Sequence, residues 1–269
     1  MATITQADVD RYATLRYKQD IRPSTVRREL GSLTKMLRLA YKTHKLMRLP
    51  MLEKPEEGDP RQGFFEDAQY AAVWARLPED LQAAVAIMHT FGWRKQEALG
   101  LTRRQLDLTV GTVRLDAGHT KNKEGRVVYL TPTLTTQLRA QEARVQALEK
   151  QLGRIIPFLF PHLTGTRAGT KRGDFRKAWA TACKAAGVAG RTRHDLRRTA
   201  VRNMERRGVP RSVAMKLTGH KTESVYNRYA IVSDTDLQAA AAKLEAPTAH
   251  SPVHSPVLSG RGKTRRVNS

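Results

Sequence analysis

The chain has 269 residues and a hydrophobic fraction of 40%, enough for one large domain or two unequal ones with a full core. Its 48 Lys+Arg against 25 Asp+Glu give a formal net charge of +23 and a pI near 10.7, a charge that would repel itself unless a polyanion offset it. The single cysteine, Cys183, excludes an internal disulfide, and neither a Cys/His cluster with metal-ligand spacing nor an apolar run of transmembrane length occurs.

The N-terminal MATITQADVD has no charged and apolar regions of a secretory signal. The expected setting is therefore cytoplasmic, with nucleic acid as the leading partner. An anionic membrane surface is the rival, opposed by the lack of a basic amphipathic stretch of the interfacial type.

Residues 1–57 read as two helices followed by a linker. Thr5 can cap the first, which carries Val9, Tyr12 and Leu15. Pro23-Ser24-Thr25 opens the second, with Val26, Leu30, Leu33, Leu37 and Tyr41 on one face. The stretch MRLPMLEKPEEGDPRQG, from Met47, has the proline and glycine content of a linker.

A second region, 63–246, opens with two packed helices, EDAQYAAVWARL and the strongly apolar LQAAVAIMHTF. The segments TVRLD and RVVYL flank the turn GHTKNKEG and predict a strand hairpin or three-stranded sheet. Helices are expected over Thr133–Leu152, over Gly173–Gly187 with a glycine stop, and over His194–Arg207, Val209–Leu217 and Thr222–Ala230. Asp234–Glu245 predicts a last, alanine-rich helix, and the Pro/Ser-rich basic tail 247–269 is expected to be disordered. The fold class is α+β, mainly helical with one small antiparallel sheet, in two unequal domains.

Four places could carry chemistry. From Arg191 to Arg228 there are 11 Lys+Arg and 3 Asp+Glu, ordinarily only a solvated face. Here His194 and Arg197 lie about one helical turn apart and could meet one ligand. A guanidinium fork binds phosphate oxygens through two parallel hydrogen bonds, and a histidine beside it can move a proton.

In TFGWRKQEALGL, Arg94 follows an apolar helix and Gly92, with Glu97 in reach as its partner; taken alone this reads as a structural ion pair. Lys121 and Lys123 both sit in the polar turn, and nothing internal to the sequence separates them. Last come His220, Tyr226 and Tyr229. The tyrosines are three residues apart, nearly one helical face, so periodicity does not choose between them.

Taken in order, Arg94-x-x-Glu97, Lys121 on a β-turn, His194-Asp195-Leu196-Arg197, Leu217-Thr218-Gly219-His220 and Tyr229 resemble the catalytic domain of tyrosine recombinases of the phage-integrase type, over about Phe64 to Leu244. The resemblance implies Tyr229 as nucleophile, because the family's tyrosine lies nine residues after this histidine, and Tyr226 as packing.

It also implies Arg94, His194, Arg197 and His220 around the scissile phosphate, Lys121 as general acid, and Glu97 as support for Arg94. Such a cationic site stabilises charge that develops on phosphate oxygens, and it lowers the cost of a phenolate whose ordinary pKa is about 10. Religation through a 3′-phosphotyrosyl link needs no ATP, so neither cofactor nor metal is expected.

Double-stranded DNA is the implied partner, with Arg27, Arg28, Lys35, Lys123, Arg193, Arg198 and Lys221 as expected contacts. A homo-oligomer, a tetramer on DNA, and an accessory DNA-bending protein complete the implied assembly, at the nucleoid rather than at a membrane.

The chain departs from the family pattern in three places. Arg198 stands where a histidine is common, and Trp93 replaces a smaller aliphatic residue. Residues 1–57 hold about two of the usual four helices of a core-binding domain, so a fragment or a short form is expected. The alternatives are a type IB topoisomerase, or a regulator that binds DNA without exchanging strands.

Overall fold

The computed structural model describes residues 4–56, 63–118, 125–230, 232 and 234–245. Lys121, Lys123, part of the expected linker and the tail 246–269 lie outside them. The chain divides into two compact units, 1–231 and 232–269. The second contains helix α11 (Asp234–Glu245), with the bounds expected from the sequence. Among the described residues no helix is long and apolar enough to cross a membrane.

Helices α1 (Gln6–Lys18) and α2 (Pro23–Lys42) open the first unit. The Asp8 carboxylate accepts from the Thr5 amide and hydroxyl, which satisfies the start of α1, and proline occupies the first turn of α2. They share a small apolar cluster, Val9 and Ala13 against Val26 and Leu30, closed by the Arg16–Glu29 ion pair at 2.7 Å. Tyr12, Leu15 and Tyr41, expected on packing faces, are exposed instead. Two helices packed against each other, with Leu52 of the following segment added to their cluster, bury one narrow stripe apiece.

The main core is built around α4 (Glu79–Phe91), which is buried from Leu81 to Phe91 apart from Gln82, His89 and Thr90. A helix apolar on almost every side must be surrounded. It packs against α3 (Asp67–Ala75), α5 (Lys95–Leu99), α6 (Pro132–Leu152) and α8 (Arg193–Arg206).

The sheet is three-stranded and antiparallel, in the order β1 (Leu106–Asp107), β2 (Thr112–Leu115), β3 (Arg126–Tyr129). Val113 opposite Val128 puts both on the buried face. Short β1, the 3₁₀ turn Arg103–Gln105 and α5 carry too few residues for a periodic signal.

Helix α7 (Arg176–Ala185) starts three residues later than expected, and α9 (Arg211–Thr218) starts after Pro210. The expected helix over Thr222–Ala230 is shorter: α10 covers only Glu223–Asn227. The Tyr229 amide bonds back to the Tyr226 carbonyl at 2.8 Å, a tighter turn that takes Tyr229 out of the helix.

Because α4 is the hub, truncating it is costly. Leu81, fully buried, changed to alanine should destabilise by about 2–5 kcal/mol, whereas Met36→Ala on the exposed face of α2 should stay within about 0.5 kcal/mol. Urea denaturation of both variants checks the contrast.

Candidate active site

Gly92, Gly219 and the N-terminus of α8 bring the distant motifs together. Gly92 ends α4 in the left-handed region at φ 65°, and a β-carbon there would come within 3.2 Å of Ala200 and Thr218. That close approach turns the chain so that Arg94 opens α5 directly beside α8.

Arg197 is the deepest cation, with its side chain buried on the inner face of α8. Its Nη1 donates to the Gly92 carbonyl at 2.6 Å and the Thr218 carbonyl at 2.7 Å, and its Nε donates to His220 Nε2 at 3.2 Å. Burial, then the Arg94 charge, pull the guanidinium down to about 10, so it stays protonated at neutral pH. Nη2 has no hydrogen-bond partner among the described residues. A buried cationic donor of that kind is ready for an anion.

His220 follows Gly219, which ends α9 at φ 72°. Thr218 Oγ1 donates to the Ala214 carbonyl at 2.7 Å and contacts His220 Nδ1 at 2.8 Å. Because the hydroxyl proton is used, Nδ1 carries the imidazole proton, and Nε2 accepts from Arg197. Burial, reinforced by Arg197, Arg94 and Arg126, lowers the His220 pKa to about 3, so the ring is neutral.

The two tyrosines are separated by packing rather than by helical phase. Tyr226 is fully buried, edge-on to His220, and burial pushes its hydroxyl pKa up. Tyr229 is half-buried, and its hydroxyl lies 3.0 Å from His194 Nε2. Its ring packs 4.7 Å from the His220 ring and 5.4 Å from the Arg197 guanidinium. His194 keeps an exposed edge, but burial of the rest, with Arg198 and Arg197 nearby, lowers its pKa and favours a neutral, proton-accepting imidazole.

A cleft of about 480 Å³ opens beside this cluster, lined by Trp93, Arg94, Arg193, His194 and Arg197 among others. Arg94 is partly exposed there, and its Nη1 and backbone amide both bond the Glu97 carboxylate, at 3.0 and 2.8 Å. Five of the six residues expected to be catalytic therefore converge; Lys121 lies outside the described residues.

The cations expected to meet DNA fall into two sets. Arg28, Lys35 and Lys221 are exposed. Arg27 donates to the Pro55 carbonyl at 2.6 Å, Arg193 faces Asp174 at 3.2 Å, and Arg198 pairs with fully buried Asp195 at 3.0 Å. Lys123 lies outside the described residues.

The sequence reading missed Arg126, whose Nη2 donates to Glu97 at 2.7 Å, and missed that Trp93 donates to the Leu217 carbonyl at 3.0 Å. A charged residue at the start of an otherwise apolar strand was the available signal. Among the described residues no three His, Cys, Asp or Glu side chains are grouped to hold a metal ion.

A model of the phage integrase family matches residues 66–236, a span that includes every residue of this cluster. The integrase of Salmonella phage P22 is 23% identical over 227 residues, covering 81% of this chain and 56% of that protein. The chain thus spans little more than half the length of that relative.

Two solved structures share the fold. XerH site-specific recombinase bound to a palindromic difH substrate superposes with a TM-score of 0.69 at 15% identity, covering 90% of this chain and 71% of that one. The Tn1549 transposon integrase in complex with circular intermediate DNA gives 0.64 at 14% identity, covering 89% and 85%.

The neutral His220 has a consequence for acid stability. Its pKa is 6.5 ordinarily and about 3 in the fold, so between those values the unfolded chain binds more protons. Stability therefore rises with pH across that window and is lost as pH falls through it. His220→Gln should flatten the pH dependence of the urea midpoint below pH 6.5 and leave it unchanged in slope above. Some slope should persist because burial also holds His89 at about 4.

Proposed function

The chain belongs to the phage integrase family, and from that premise we propose that it breaks and rejoins double-stranded DNA through a 3′-phosphotyrosyl link on Tyr229. The observation that carries this reading is the Tyr229 hydroxyl, 3.0 Å from a neutral-leaning His194 and beside the buried Arg197.

In the proposed step the Tyr229 oxygen attacks phosphorus while its proton passes to His194 Nε2. The bond from phosphorus to the 5′ oxygen breaks, and Lys121 supplies the proton that the leaving oxygen takes up. Arg94 and the unpartnered Nη2 of Arg197 hold the non-bridging oxygens as their charge grows. His220, already bonded to Arg197 through Nε2, orients that guanidinium. Reversal by a 5′ hydroxyl regenerates the phosphodiester and frees the tyrosine.

Residues 63–246 are proposed as the catalytic domain and 1–57 as a partial DNA-binding domain, with Arg28, Lys35 and Lys221 on the DNA backbone. Work on two duplexes calls for more than one protomer, so a homo-tetramer on DNA, aided by a bending protein, belongs to the same reading. The XerH recombinase, bound to its difH substrate, and the Tn1549 integrase, in complex with circular intermediate DNA, share this fold and support the choice of partner.

Covalent trapping tests it. The protein is incubated with nicked duplexes from the DNA flanking its coding region, denatured in detergent, and any adduct peptide is mapped by mass spectrometry. An adduct on the Tyr229 peptide is expected, lost in Tyr229→Phe and kept in Tyr226→Phe. Lys121→Ala should slow adduct formation about 10²–10⁴-fold, the usual worth of a positioned proton donor. Tight binding with no adduct, or an adduct on Tyr226, would overturn the proposal.

A further inference from the structure

We infer that Arg126 is a positioning residue of this site: its guanidinium, at the start of the strand Arg126–Tyr129, joins the Arg94–Glu97 pair to the Gly219–His220 turn. The inference rests on the functional reading above for what is being positioned, while the contacts stand without it.

Arg126 opens β3, five residues after Lys121, and only 12% of its side chain is exposed. Glu97 is 2% exposed, so its carboxylate would be costly to hold without compensation from both sides. Arg94 supplies one side from three residues away. Arg126 Nη2, at 2.7 Å from Oε2, supplies the other from a separate element. Oε2 is thus shared between the Arg94 backbone amide and Arg126 Nη2, so Arg126 holds from a second element the carboxylate that aims the Arg94 side chain.

The other branch of the fork reaches the histidine turn. A β-carbon on Gly219 would lie 1.8 Å from Arg126 Nη1 and 2.9 Å from Cζ, so the turn closes directly onto the guanidinium. The Trp93 ring lies against the same group, 5.1 Å from Cζ to the ring centroid, and its Nε1 donates to the Leu217 carbonyl just before that turn. A planar, two-pronged cation meets all three neighbours at once. A lysine, with one ammonium, can meet Glu97 or the turn but lacks the second prong.

The bland alternative is a buried ion pair that serves stability alone. It predicts loss of melting temperature without change in the chemical step. Two measurements on the full chain test this: the first asks whether the Arg126 charge reaches the histidine turn, and the second separates the readings. The first is NMR titration of His220 in the wild type, Arg126→Gln and Arg126→Lys, which needs no DNA. Arg126 is among the charges that hold the His220 pKa down, so Arg126→Gln should raise it and Arg126→Lys should leave it low.

The second is the single-turnover rate of adduct formation on a trapped nicked duplex, with DNA affinity measured alongside. Arg126→Gln should lose roughly 10²-fold in rate, the scale of a misplaced catalytic group, with affinity nearly unchanged. Arg126→Lys should recover part of that loss.

An unmoved His220 titration in a folded Arg126→Gln variant would overturn the inference. So would a lysine variant that matches wild type in rate. If Arg126→Gln does not fold, the lysine variant decides. If the wild type forms no adduct at all, the functional reading fails, and the titration still tests whether Arg126 reaches the histidine turn.

Discussion

One buried carboxylate allows this site to exist. Arg94, Arg126 and Arg197 all carry positive charge in a region from which much of the water has been removed, and each depresses the pKa of His220. Among the described residues Glu97, 2% exposed and bonded to two of the three guanidinium groups, offsets that repulsion directly. The remaining excess of positive charge is held by the fold and partly repaid through backbone carbonyls at Gly92 and Thr218. Such a site favours an incoming anion, because an anion can meet the buried donor that the described residues leave without a partner.

The same economy explains why net charge overstates the free cationic surface. Arg103 is spent on Glu142 and Glu149, Arg202 on Glu66 and the Phe65 carbonyl, Arg172 on Asp80 and Arg198 on Asp195. Arg103, Arg172 and Arg202 fasten separate segments to one another, while the Arg198–Asp195 pair lies within α8. Arg202 also lies 3.6 Å from the Phe64 ring centroid, so the segment entering the main core is clamped onto the helix that carries His194 and Arg197. Stability and site geometry therefore depend on the same helix.

Histidine protonation follows from position. His220 is enclosed and surrounded by guanidinium groups, so it stays neutral and serves as acceptor to Arg197 and donor to Thr218. His194 keeps an edge toward solvent and meets Tyr229. Two identical side chains thus fall into different tasks, one holding a cation and one facing a phenol, through burial and neighbouring charge alone.

Much of this was legible in the amino-acid order. The apolar runs, glycine stops and proline starts located most helices within a few residues, and the spacing of Arg94, His194, Arg197, His220 and Tyr229 carried the family, which the match over 66–236 bears out. Those signals are local, and local periodicity and end chemistry are what a linear sequence records. It did not distinguish Tyr226 from Tyr229 by helical phase, show that Arg27, Arg193 and Arg198 have internal partners, or single out Arg126. Each of those depends on groups from different elements meeting: Arg126 with Glu97 across 29 residues, Arg197 with Gly92 across 105. Which side chain faces which is settled only when the chain closes, because burial and pairing energies depend on neighbours in space.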